Sequence, residues 1–305
     1  KKTIFTILAA AALVMSTPSC SDFLEEENKA GMTADLTYST ASGIQGLVSS
    51  AYSFARGWYG KEAALGLSET GTDLFYYGYD NKQKSLNSYN ITAESLDGNS
   101  SDNASLDHYW EMFYCAVDVC NTALKYIPEN KVIAENLRSR FMGEAYFLRA
   151  FYYFHMVNLW GPIPYNSEPL TAIFTAPTRL SEEEVYAKIL ADLDLSIAAF
   201  QAANYMVKSD GRANYWAARA LKARVLLYAA SWLGKSDYYA QAKTEAEAVI
   251  NSGVASFYDN YADTWSMQNE DISKNKEAIW GVSYSADIPP NVYSIPKPYK
   301  TNPSG

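Results

Sequence analysis

The sequence predicts a mainly α protein built of irregular helix pairs, with long loops and little strand. Three observations carry this. Apolar residues recur at steps of three and four over several long stretches. Helix boundary signals flank those stretches: a capping box at Ser181 and Glu184, Gly161-Pro162, Gly234 and Gly253. Two stretches, Ala145–Ala150 and Ala220–Val225, share a texture of small and large residues that suits close helix contacts. Paired helices of this kind suggest a tetratricopeptide-like stack, too unevenly spaced to be a regular array.

The elements follow in order. Ala41 to Ala55 reads as a first helix that ends near Arg56-Gly57. Residues 56–106 read as loop, because Gly, Asn, Ser and Asp alternate there with aromatics, as in Phe75-Tyr76-Tyr77-Gly78-Tyr79. A loop this long is uncommon in a compact domain and is often functional. A helix runs from Leu106 to Tyr126, and Pro128 closes it. Ile133 to Leu159 carries a longer one. On it Leu148, Tyr152, His155 and Leu159 form one stripe, and Phe147, Phe151 and Phe154 form another. A helix apolar on most sides is buried between neighbours. Further helices are expected at 181–200, 214–233 and 238–251. The expected pairs are 106–126 with 133–159 and 181–200 with 214–233, while 238–251 lacks a clear partner. Glu277–Tyr284 alternates better than it spirals and reads as a strand; Pro289–Gly305 shows no period.

Composition narrows the function. Of 305 residues, 48% are hydrophobic and 14% aromatic, including 25 Tyr, which excludes a disordered chain. A net charge of −9 lacks the basic footprint of a nucleic-acid binder. Two His and three Cys leave little for a zinc site or a disulfide framework, and no cofactor is implied. Cys115 and Cys120 lie five positions apart on one predicted helix, about 7.5 Å along its axis, too far to pair. They read as buried free thiols.

The N-terminus reads as an address. Lys1-Lys2 precede an apolar run from Ile4 to Met15, too short to span a bilayer. Residues 1–19 read as a signal peptide. Small residues leading into Cys20 resemble a bacterial lipoprotein signal, in which the cysteine is lipidated; the alternative is an ordinary cleavable signal. Residues 20–40 then form an acidic tether and N-terminal segment, beginning Ser21-Asp22-Phe23-Leu24-Glu25-Glu26-Glu27. Residues 41–305 form the helical domain.

Gly143-Glu144-Ala145-Tyr146-Phe147-Leu148-Arg149-Ala150, followed by Leu159-Trp160-Gly161-Pro162-Ile163-Pro164-Tyr165, resembles the hallmark of the SusD/RagB family. Cys20–Leu24, Trp110–Asn121, Tyr215–Arg224 and Glu277–Trp280 resemble further family segments in the same order. The resemblance implies an outer-membrane lipoprotein of Bacteroidota, exposed on the extracellular face. It would bind glycan and deliver it to a SusC-like TonB-dependent transporter. It also implies a chain truncated at its C-terminus, since family members are considerably longer, and a ligand site incomplete without the remainder. The alternative is a tetratricopeptide-like adaptor or peptide-capturing subunit with no sugar site.

No catalysis is expected. The clusters Glu25–Glu27 and Glu182–Glu184 read as a tether and a helix N-terminus, and Asp192 and Asp194 point to different faces. None resembles a glycosidase pair. His155 reads as a satisfied core histidine. Arg149 reads as a buried ion pair, with Glu144 and loop carbonyls as partners. Sugar rings offer apolar C–H faces to flat aromatic rings and hydroxyl edges to polar side chains. The glycan-binding set read from the loops is therefore Trp58, Asp73, Tyr76, Tyr77, Tyr79, Asn81 and Tyr89. The competing reading is that these aromatics fold the loop onto the helices.

Overall fold

The computed structural model describes residues 33–59, 61–75, 84–92, 101–172, 177–209, 211–269 and 271–283. The helices are α1 (Ala34–Tyr38), α2 (Ala41–Ser53), α3 (Ala55–Trp58), α4 (Glu62–Glu69), α5 (Lys84–Ser88), α6 (Ser101–Glu129), α7 (Glu135–Trp160), α8 (Glu182–Ala202), α9 (Tyr215–Trp232), α10 (Asp237–Asn251) and α11 (Tyr261–Thr264). A turn of 3-10 helix at Met267–Asn269 follows. Among the described residues strand pairing is limited to the isolated bridges Ile163–Leu180 and Ser209–Arg212. The fold is the mainly helical one that the sequence predicts.

An N-terminal unit ends at Thr37; within it the Leu36 N–H donates to Thr33 Oγ1 at 3.2 Å. From Tyr38 onward the helices stack in chain order, α6 on α7, α7 on α8, α8 on α9 and α9 on α10, with α2 laid against α6 and α7. Both expected pairs are present. The last helix does have a partner, because α10 packs on α9.

Other expectations are corrected. Residues 56–106 are not a continuous loop: α3, α4 and α5 lie within them, and α6 begins at Ser101. Ala and Leu at helical spacing bury Ala55, Trp58 and Ala64 there, and the polar neighbours obscure that pattern. Pro128 sits inside the last turn of α6 and does not end it. Near a C-terminus its missing N–H removes a single bond. Residues 277–283 form no strand. Their backbone is held by side chains: Asn275 Oδ1 accepts from the N–H groups of Glu277 and Ala278, and Asn214 Nδ2 donates to the Ile279 carbonyl. Cys120 is buried as expected, and burial pushes its thiol pKa up, but Cys115 is exposed.

Helix α7 is buried on nearly every side. Gly143 lets α8 approach, since a Cβ there would meet the Phe200 ring at 2.8 Å. Ser196 Oγ of α8 donates to the Gly143 carbonyl at 2.7 Å. One turn and a half further on, Arg149 binds Asp192 of α8 through Nε and Nη2, at 2.8 and 2.6 Å. Its Nη1 donates to Asn121 Oδ1 of α6 and to the Ser167 carbonyl, at 2.8 and 3.2 Å. The ion pair read from the sequence is present, and its acid is Asp192. Glu144 instead receives Arg140 Nε and Arg212 Nη1, at 2.8 and 2.9 Å.

The chain leaves α7 at Gly161, whose φ of +65° favours glycine. The loop beyond is held by polar groups of α6 and α7. Tyr114 donates to the Pro164 carbonyl, Tyr153 to that of Asn166, and Asn121 Nδ2 to those of Asn166 and Glu168. Arg149 and Tyr153 of α7 thus hold the loop that follows Gly161-Pro162-Ile163-Pro164.

Arg149→Ala is expected to destabilise the protein by about 3–5 kcal/mol, because it strands the buried Asp192 carboxylate. Gly143→Val should cost about 1–3 kcal/mol by forcing α7 and α8 apart. Urea unfolding followed by circular dichroism measures both. A wild-type midpoint in either variant would contradict this assignment.

Candidate functional site

The expected glycan-binding residues fall into three groups. Tyr76, Tyr77, Tyr79 and Asn81 lie outside the described residues, as does the expected lipidation site Cys20. Asp73 and Tyr89 are exposed, and Tyr89 has a φ of +52°. Its hydroxyl donates to the Gly71 carbonyl, so this ring helps to close its own loop. Trp58 is a core residue. Its ring contacts Tyr109, Phe113 and His155 at centroid distances of 5.0, 5.3 and 5.2 Å. Only 5% of it is exposed, so it offers no free face for stacking.

A cleft of about 570 Å³ opens between α7, α9 and residues 277–282. That is within the usual range for a small-molecule site. Phe147 and Phe151 of α7 form its floor and are buried. Trp280 stands edge-on to both, at 4.9 and 5.3 Å. Tyr59, just past α3, is 38% exposed and lies 6.0 Å from Phe151. Ala217, Ala220 and Leu221 of α9 complete the apolar wall.

Local chemistry sets this wall. Asn214 caps α9 by accepting from the N–H groups of Trp216 and Ala217, and its amide fixes Ile279 beside Trp280. Small residues at 217 and 220 keep that side of α9 low, which leaves space for the cleft.

Among the described residues two charged side chains line the cleft, Arg224 of α9 and Glu277. Glu277 Oε1 accepts from the Tyr258 N–H at 3.0 Å and from Thr264 Oγ1 at 3.3 Å. The latter bond ties the cleft to α11, where Tyr261 and Trp265 are 74% and 72% exposed with their rings 6.1 Å apart. Burial raises the Tyr59 pKa, and the positive charge of Arg224 opposes that rise.

His155 lies behind the cleft among Trp58, Tyr59, Phe113 and Phe151. Its Nε2 is buried with no hydrogen-bond partner, so it is not the satisfied histidine the sequence suggests. Burial, aided by the Arg224 charge, lowers its pKa to about 3. The two aspartates read as facing apart do so: Asp192 meets Arg149 inside, and Asp194 meets Lys222 at 2.6 Å outside.

The sequence points to the 56–106 segment, which contributes Tyr59 to this cleft, and not to the wall formed by α9 and residues 277–282. One signal was available. Arg224 has Ala220, Leu221, Leu227 and Tyr228 at its helical neighbour positions, so no acid on its own helix can pair with it.

The chain is thus a helical stack that carries an aromatic cleft beside a loop fixed by side chains. A family model described as "SusD-like_3: Starch-binding associating with outer membrane" matches residues 22–227, and the chain belongs to this SusD-like family. SusD-like protein P25 of Formosa agariphila is 28% identical over 295 residues, covering 93% of this chain and 53% of that protein. A SusD-like protein of Bacteroides ovatus is 23% identical, covering 93% of this chain and 50% of the other. The chain thus spans about half the length of these relatives. Among solved structures, surface glycan-binding protein A from Bacteroides fluxus is 26% identical, with a TM-score of 0.63 over 79% of this chain and 50% of that one. A SusD superfamily protein from Parabacteroides distasonis shares the fold at a TM-score of 0.65 and 22% identity, covering 84% of this chain and 52% of its own.

The buried histidine gives a pH prediction. The unfolded chain takes up a proton on His155 below pH 6.5, whereas the folded chain does so only near pH 3. Stability from this group is therefore full above pH 6.5 and is lost as pH falls toward 3. About 2 kcal/mol should be lost between pH 7.5 and pH 5. His155→Phe should lose about 2 kcal/mol less than wild type over that interval in urea titrations. Equal losses would contradict the assignment.

Proposed function

We propose that this chain binds glycan without covalent chemistry and serves a carbohydrate-uptake system at the cell surface. The observation that carries the reading is the aromatic cleft formed by Tyr59, Phe147, Phe151 and Trp280 on a SusD-like scaffold. Phe147 and Phe151 support the wall from below, while Tyr59 and Trp280 offer ring surface to the apolar C–H face of a sugar. Glu277 and Arg224 stand where hydroxyl edges would lie. The family description names starch binding, and the Bacteroides fluxus neighbour is named as a surface glycan-binding protein, which supports the same reading.

In this proposal Cys20 carries the lipid and anchors the protein to the outer membrane with its body on the extracellular face. The acidic segment after Cys20 stands off anionic headgroups. The bound glycan passes to a SusC-like TonB-dependent transporter. Tyr76, Tyr77, Tyr79, Asn81, Asp73 and Tyr89 belong in this proposal as further ligand contacts from the 56–106 segment, while Trp58 is a core residue.

Affinity gel electrophoresis of the full chain against a panel of polysaccharides tests the binding. Saturable retention by one polysaccharide is expected, with about tenfold weaker retention in Tyr59→Ala from loss of one ring face. Tyr76→Ala and Tyr77→Ala measure the contribution of the other segment. No retention by any polysaccharide would favour a peptide-capturing subunit. Labelling of expressing cells with palmitate tests the anchor: incorporation is expected in wild type and none in Cys20→Ala.

A further inference from the structure

Helix α9 carries three cations near its middle, and they have different fates. Arg219 Nε binds Glu245 at 2.6 Å. Lys222 Nζ binds Asp194 at 2.6 Å and Glu245 at 3.2 Å. Arg224 makes no ion pair or hydrogen bond among the described residues, although it lines the cleft. The chain has 34 acids against 25 basic residues, so an unpaired cation is not a matter of scarce acids. Among the described residues the carboxylate that lines the same cleft, Glu277, is engaged by the Tyr258 N–H and the Thr264 hydroxyl. His155 behind the wall stays neutral at ordinary pH and supplies no second positive charge.

The Arg224 guanidinium is exposed, so what it offers a ligand is geometry more than raw charge. Its planar fork matches a carboxylate or a sulfate in two parallel hydrogen bonds. A neutral sugar gains only single hydrogen bonds from the same group. We propose that the cleft takes an anionic sugar residue, its acidic group held by Arg224 and its ring against the wall formed by Tyr59 and Trp280. This rests on the carbohydrate-binding reading above and adds the class of sugar. The anion is a uronate carboxylate or a sulfate ester, two sources of one chemistry.

Isothermal titration of the full chain separates the possibilities. The probes are tetramers of galacturonate, glucuronate and mannuronate with their carboxyl-reduced counterparts, and a sulfated galactan tetramer with its desulfated form. At least one acidic member should bind about tenfold or more tightly than its neutral counterpart. The pair that shows this preference identifies the carboxylate or the sulfate. Arg224→Gln should abolish the preference by weakening the acidic member about tenfold more than the neutral one. Arg224→Lys should restore part of it, since charge returns without the fork. Arg224 is exposed, and a wild-type circular dichroism melt confirms that both variants fold. Equal binding of acidic and neutral members, or a preference that survives Arg224→Gln, overturns the anionic-sugar inference alone. Failure of wild type to bind any probe, acidic or neutral, while polysaccharide gels show retention, also overturns it alone. Failure in both assays overturns the carbohydrate reading as well.

Discussion

A guanidinium enclosed by helices cannot leave water without replacing the hydrogen bonds it gives up. Arg149 makes four such bonds, to Asp192, Asn121 and the Ser167 carbonyl, and these partners come from α8, α6 and the loop after α7. Burial opposes its charge, and the Asp192 carboxylate more than offsets that, so the side chain stays protonated. Apolar burial supplies most of the driving force for collapse, but it is not directional. The Arg149 hub is directional. It sets the register of three helices against one another and fixes where the loop must run. The close contact at Gly143 and the Gly161 turn each work only at that register.

The cleft inherits this register. Phe147 and Phe151 lie on α7 on either side of Arg149 in sequence, so the hub that holds the helix also holds the cleft floor. On the opposite wall, Asn214 performs two tasks with one side chain: it caps α9 and fastens Ile279. The wall that carries Trp280 is therefore referenced to the helix that carries Arg224. A second buried network works in the same way. Glu144 binds Arg140 and Arg212, and Arg212 Nη2 reaches Ser49 of α2 at 2.6 Å. Polar groups thus decide the geometry of a core whose volume is filled by aromatic side chains.

The cleft has sources of order and little of rearrangement. Its floor is buried, its far wall is pinned by asparagine side chains, and its carboxylate is already engaged. Tyr59 and Arg224 are exposed members of its lining. A preorganised site of this kind spends little binding energy on ordering itself.

Much of this was legible in the sequence. The helices from 101 to 251, the capping box at Ser181, the Gly161 break and the burial of Arg149 follow from local rules, because capping, periodicity and the cost of burying charge act within a few residues. The acid that pairs with Arg149 was not legible. Asp192 and Glu144 are equally acidic on paper, and only the packing of α8 on α7 decides between them. The same holds for Trp58 and Tyr59. They are adjacent aromatics in one polar stretch, yet one is enclosed by Tyr109 and Phe113 while the other faces the cleft. Residues 277–283 alternate like a strand, but pairing needs a neighbouring edge, and the tertiary structure provides asparagine side chains in its place. By itself the sequence determined the long helices and which ring and charge types are available, though not the short helices within 56–106. The tertiary structure decided which rings stay exposed and which charges go unpaired, because exposure and pairing depend on neighbours far away in the chain.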